Sequence, residues 1–150
     1  MCALKEPSYF AYEDGAAHHQ LPWPDPYVRE LPEYAQLFDG AETNRIRAES
    51  STLYFQNPEA ARRIQSVLPD VKIVAILRDP ADRAFSHFVH HRLTDSEPIA
   101  NFRSALDAWS TRSAAGWRPN WDYIGPGFYA KHLAAYRSLF GDDHVRIFFI

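Results

Sequence analysis

"KIVAILRDPADRAFSHFVHHRL", residues 72–93, is the stretch whose reading decides the fold. Its first part, with Val71, is the continuous apolar and β-branched run "VKIVAIL" (71–77), expected of a strand covered on both faces. Asp79 and Pro80 then read as a helix start, Asp79 as the cap and Pro80 at the first helical position, with Asp82 favouring the positive helix end. The spacing gives that helix a core face of Ala81, Ala84, Phe85 and Phe88. Arg78 therefore stands at the carboxyl end of a strand, where open α/β sheets bind ligands.

Outward from this unit the same signals recur. Asn57 caps a helix that starts at Pro58, carries Ala60, Ala61, Ile64 and Leu68 on one face and stops before Pro69. Ile99, Phe102, Leu106 and Trp109 predict one helix over 99–111, and Gly116 and Pro119 a connection. Tyr129, Leu133, Tyr136 and Phe140 define a further helix ended by Gly141, and "HVRIFFI" (144–150) a second buried strand. Upstream, Pro22, Pro24, Pro26 and Pro32 make 11–44 read as an irregular, loop-rich segment. Helices interleaved with all-apolar strands indicate an α/β protein with a mainly parallel sheet.

Composition narrows the function. Leu, Ile, Val and Phe make up 35 of the 150 residues, enough for a folded core, and four Trp, eight Tyr and ten Phe make that core aromatic. No apolar run approaches a membrane span, and the first twenty residues lack the apolar stretch of a signal peptide. The single cysteine, Cys2, excludes an internal disulfide and a cysteine-based zinc site, which suits a cytoplasmic protein. The net charge of −3 is uneven: residues 1–61 carry −6, residues 62–92 carry +3 and residues 93–150 are neutral. One basic segment in an acidic chain argues against nucleic acid as a partner and for a small anion held at one place.

Arg78 offers such an anion a bidentate contact, and Ser86, two turns into the helix, a hydroxyl donor. Because Pro80 has no amide proton, the site is not a glycine-rich cradle; pairing of Arg78 with Asp79 or Asp82 stays open as the alternative. Arg83 is expected to tie its helix to neighbouring loops. His87, His90 and His91 lie at metal-pair spacing without a glutamate partner, so polar contacts are expected of them and no metal. His18 and His19 read as solvated loop residues, Trp117 and Trp121 as packed or lining an entrance, and Gly125 and Gly127 around Pro126 as a turn.

"ILRDPADRAFSHFVH" (76–90) resembles the 3′-phosphate-binding segment of sulfotransferases that use 3′-phosphoadenosine 5′-phosphosulfate (PAPS), where a strand ending in Leu-Arg-Asn/Asp-Pro leads into Arg-Ala-Tyr/Phe-Ser. "KEPSYF" (5–10) and "AESSTLYF" (48–55) resemble the Lys-Glu-Pro-x-Phe-Phe and Glu-Lys/Ser-Ser/Thr-x-x-Tyr elements of the heparan-sulfate-type and related bacterial enzymes. "LPDVKIVAILRDP" (68–80) and "GFYAKHLAAYRSLFGDDHVRIFFI" (127–150) match the rest of that region. The resemblance implies a P-loop-NTPase-like three-layer α/β fold, Arg78 and Ser86 as holders of the nucleotide 3′-phosphate, and Glu6 as the catalytic base, helped by a partly dry cleft. It implies PAPS as co-substrate, no metal, and a carbohydrate or small-molecule acceptor.

Two departures qualify the expectation. The family's first strand and its Gly/Lys/Thr-rich phosphosulfate loop precede the Lys-Glu-Pro element at which this sequence begins, and a later nucleotide-contacting loop follows 144–150. The reading is thus of residues 1–150 as the central part of one domain, incomplete at both ends, inactive in isolation, whose missing N-terminal part is free to carry a targeting segment. A non-catalytic remnant that keeps only the 3′-phosphate site is the alternative; a nucleotide kinase lacks its Walker loop and magnesium carboxylate here. Ser50 also stands where heparan-type members have lysine, which weakens the case for a polyanionic glycan.

Overall fold

The computed structural model describes residues 4–11, 28–40 and 46–150. In chain order the elements are α1 (Leu31–Gln36), α2 (Pro58–Val67), β1 (Ile73–Leu77), α3 (Pro80–Leu93), α4 (Phe102–Asp107), α5 (Trp109–Ala114), α6 (Tyr129–Phe140) and β2 (Val145–Phe149), with short 3-10 turns at Tyr9–Ala11, Pro119–Trp121, Gly125–Gly127 and Asp142–His144. β1 and β2 pair in parallel, Ile73 opposite Val145 and Leu77 opposite Phe149, so the intervening helices form the crossover that a parallel pair requires.

The helix boundaries follow from local chemistry. The Asn57 side chain accepts from Glu59 N at 3.0 Å to cap α2, and its amide donates to Ala11 O at 2.9 Å, joining the N-terminal segment to the helix. Asp79 Oδ1 accepts from Ala81 N at 2.8 Å and Asp82 N at 3.1 Å at the start of α3. α6 ends at Gly141, whose φ of +76° is a left-handed conformation that a side chain disfavours.

The alternating side chains of the strands split the sheet into two unlike faces. Ile73, Ala75, Leu77, Val145 and Ile147 face α2 and α6 and join the main core, which includes Tyr9, Phe10, Tyr34, Tyr54, Tyr136 and Phe140. The expected aromatic core is thus present: the Tyr9 and Tyr34 rings stack at 5.1 Å and Phe10 meets Tyr54 edge-on at 5.8 Å. The opposite face is open. Val74 is 58% and Ile76 64% exposed, and Phe148 beside Ile76 is exposed too. The expectation of strands covered on both faces is corrected: the described residues place one helical layer on a two-stranded parallel sheet, an α/β arrangement.

A second, smaller core holds Ala84, Phe88, Ala105 and Tyr123. Here three further expectations change. The inward face of α3 is Ala84, Phe88 and His91, while Ala81 and Phe85 are exposed; Phe85 packs edge-on against Phe102 at 5.2 Å from the rim. The helix read over 99–111 is two short ones that meet at Ala108, the first starting later, where Asn101 Oδ1 accepts from Ser104 N at 3.0 Å. Within the segment read as irregular, Pro32 sits in the first turn of α1, the position a helix tolerates. No helix among the described residues is long and apolar enough to cross a membrane.

Candidate functional site

β1 delivers Arg78 to the start of α3, where it is half-buried. Its Nη2 lies 3.5 Å from Arg83 O, beside the helix turn that leads to Ser86, which is exposed on the next turn of α3. Arg78 forms no ion pair with Asp79 or Asp82. Asp79 is occupied instead: its side chain takes the amides of Ala81 and Asp82, and its carbonyl takes Arg83 N at 2.9 Å. With Pro80 lacking an amide proton, the first turn of α3 has no free backbone donor. An anion arriving here would meet side chains rather than backbone amides, those of Arg78 and Ser86 among them.

Arg83 does what the sequence reading gave it. Its Nη2 donates to Tyr123 O, tying α3 to the loop before α6, and its Nε is buried without a partner. Burial lowers the proton affinity of this guanidinium, as does neighbouring Arg78, against the opposing pull of Tyr129 and Asp122. On the other side, the Gly125–Gly127 turn packs so closely that a Cβ at Gly127 would lie 3.2 Å from Pro80 Cβ. A shallow open depression of about 520 Å³, lined by Gly127, Phe128, Tyr129, Ala130 and Lys131, lies beside this contact; neither Arg78 nor Ser86 lines it.

Glu6 lies on the N-terminal segment, away from α3 in sequence. It is half-buried, and Thr52 Oγ1 donates to its Oε2 at 3.1 Å. Glu6 and Ser8 both adopt left-handed backbone, with φ of +52° and +54°. Sequence reasoning did not single out Glu49, whose carboxylate accepts from Ser51 Oγ at 2.9 Å and Tyr34 OH at 3.5 Å. Burial raises the Glu49 pKa, hydrogen bonds from Ser51, Tyr54 and Tyr34 oppose the rise, and the charge of Glu6 adds to it. The signal was present in "AESSTLYF": one carboxylate followed within five residues by the hydroxyls of Ser51, Thr52 and Tyr54. Ser50 is exposed, and Tyr54 is packed, with its hydroxyl accepting Phe10 N at 3.4 Å.

A second polar cluster escaped the sequence reading. Glu97, 1% exposed, accepts from Arg112 Nη1 at 2.7 Å and Nη2 at 2.5 Å, from Tyr123 OH at 2.7 Å and from Ile99 N at 2.8 Å. Burial opposes ionisation of Glu97, but these donors outweigh it and hold the carboxyl below its usual range. His91 Nδ1 lies 3.0 Å from the same Tyr123 hydroxyl, and the His87 ring packs on His91 at 4.4 Å. Burial, the neighbouring His91 and then Arg83 push the His87 pKa down to about 4. His91 thus makes a polar contact and His87 a ring contact; among the described residues no three or more His, Cys, Asp or Glu side chains gather where they could hold a metal ion. Arg112 also lies over the Trp117 ring at 4.6 Å, and Trp117 meets Trp121 edge-on at 5.2 Å, so this pair is packed. His18 and His19 lie outside the described residues.

Known proteins resemble the chain in sequence and shape. A sequence model of the sulfotransferase family matches residues 15–135. Human bifunctional heparan sulfate N-deacetylase/N-sulfotransferase 1 is 32% identical over 126 residues, 81% of this chain and 14% of that protein. Mouse heparan sulfate glucosamine 3-O-sulfotransferase 3B1 is 31% identical over 128 residues, 85% of this chain and 29% of that protein. The crystal structure of a sulfotransferase from Alicyclobacillus acidocaldarius superposes with a TM-score of 0.84 at 29% identity, covering 99% of this chain and 61% of the other. The chain thus spans less than a third of the length of these two curated relatives.

Proposed function

The chain belongs to the sulfotransferase family, and from that premise we propose that it is the central part of a single domain that moves a sulfuryl group from PAPS to a hydroxyl or amine of a carbohydrate acceptor. The observation that carries the reading is Arg78: a half-buried guanidinium at the end of β1, with no carboxylate partner, beside a helix start whose own amides are already taken. In this reading Arg78 and Ser86 hold the 3′-phosphate through side-chain hydrogen bonds. As the acceptor attacks sulfur, a bond from its oxygen or nitrogen to sulfur forms and the bond from sulfur to the bridging phosphate oxygen breaks. The departing electron pair leaves on adenosine 3′,5′-bisphosphate, and the acceptor proton passes to Glu6. Catalysis then rests on alignment and charge placement, as in phosphoryl transfer, and no metal takes part.

The two heparan sulfate relatives support a glucosamine-containing glycan as acceptor class, one being named for transfer to nitrogen and the other to oxygen. Ser50 supplies no cation, so acceptor recognition does not rest on a lysine at that position. The test is transfer of labelled sulfuryl from PAPS to N-desulfated heparan sulfate by the whole domain. Label in the glycan, lost in Glu6→Gln while nucleotide binding persists, supports the proposal; full transfer by Glu6→Gln refutes Glu6 as the base.

A further inference from the structure

The turn that carries Glu6 is held by residues from elsewhere in the chain. Two left-handed residues, Glu6 and Ser8, flank the fully buried Pro7, a strained conformation that persists only where surroundings enforce it. The enforcing contact is specific: Ser8 N donates to Ser51 Oγ at 3.0 Å, and Ser51 Oγ donates to Glu49 Oε2 at 2.9 Å. Ser8 and Ser51 are both buried, so neither amide nor hydroxyl has water to fall back on. Next to Ser51, Thr52 donates to the Glu6 carboxylate itself. One segment, 49–52, thereby fixes both the backbone under Glu6 and the direction of its side chain.

We propose that Glu49, acting through Ser51, is a positioning residue that holds the Glu6 turn in its strained, productive shape; the idea rests on Glu6 being the base. An ionised Glu49 accepts from Ser51 and so leaves the hydroxyl oxygen lone pairs to Ser8 N. Burial raises the Glu49 pKa, and the hydrogen bond from Ser51 opposes that rise by favouring the ionised form. Glu49 touches no reacting atom in this scheme.

Amide exchange tests the holding directly in the full chain. Ser51→Ala and Glu49→Ala should speed exchange at Ser8 at least tenfold, Glu49→Gln should restore most of the protection because its carbonyl oxygen still accepts from Ser51, and the amide of Leu68, which bonds Ile64 O at the end of α2, should not change. In the whole domain, with labelled PAPS and N-desulfated heparan sulfate, Ser51→Ala should lower kcat about tenfold at unchanged KM for PAPS, and add nothing in a Glu6→Gln background. Unchanged Ser8 exchange in Ser51→Ala, or an equal further loss in the Glu6→Gln background, overturns the positioning role. Full turnover by Glu6→Gln alone overturns the base reading and the positioning role with it; that result is told apart because Ser8 exchange still responds to Ser51→Ala.

Discussion

Replacing Glu97 by alanine should be among the most destabilising single changes in this chain. The carboxylate is 1% exposed and receives four donors, two of them from an Arg112 that is itself 6% exposed. Glu97→Ala leaves that guanidinium buried with no counter-charge, a change that costs about 3–5 kcal/mol. Tyr123 OH keeps His91 Nδ1 as a neighbour, so it adds little. A loss of ~4 kcal/mol lowers the melting temperature by roughly 8–16 °C in a domain of this size. Urea unfolding followed by tryptophan fluorescence is the suitable assay, because Trp117 lies against Arg112 and reports on the site itself. Glu97→Gln should fall between wild type and Glu97→Ala, and the double change Glu97→Leu with Arg112→Met should cost less than either of those two changes made singly, since no charge is then left unpaired. A Glu97→Ala loss below about 1 kcal/mol, or a double variant worse than the sum of the singles, would refute the reasoning.

Acid should weaken the fold through His87: its pKa of about 4 lies below the ordinary 6.5, so the stability it confers is complete above pH 6.5 and drains as pH falls towards 4, by up to about 3 kcal/mol. Urea midpoints at pH 7 and pH 4 should converge less in wild type than in His87→Phe, whose smaller acid loss checks the assignment. Arg83→Met should remove the tie from α3 to Tyr123 O and weaken binding of adenosine 3′,5′-bisphosphate by displacing Arg78, measurable by calorimetry; unchanged affinity would leave Arg83 a purely structural role. Gly141→Ala should cost about 1–3 kcal/mol from its backbone conformation alone, φ +76° with ψ 161°, because nothing lies within 4 Å of the added methyl, and thermal unfolding reads it directly.

The elements with explicit punctuation were legible in the sequence. Asn57-Pro58, Asp79-Pro80 and the closing Gly141 mark helix ends by local hydrogen bonding and backbone preference, so α2, α3 and α6 were read with their caps. The break at Ala108 was not, because an apolar stripe that continues from Leu106 to Trp109 hides a joint lying in ordinary helical backbone. Periodicity also rotated the inward face of α3: it favours Phe85, whereas the fold buries His91 because Tyr123 waits there with a hydroxyl. Glu97 and Arg112 read as surface charges until folding joins them. Of the candidate site, Arg78 could be placed from the strand-to-helix junction alone, while the network of Glu49, Ser51 and Ser8 spans more than forty residues and exists only in three dimensions.

The central claim is that Arg78 recognises a phosphate on the ribose 3′ oxygen, and thermal unfolding with two nucleotides tests it most directly. Adenosine 3′,5′-bisphosphate should raise the melting temperature while adenosine 5′-monophosphate should not. Arg78→Ala should abolish the difference, consistent with loss of a charge-assisted contact worth about 1.5–3 kcal/mol. Equal protection by both nucleotides, or a preference that survives Arg78→Ala, would contradict it.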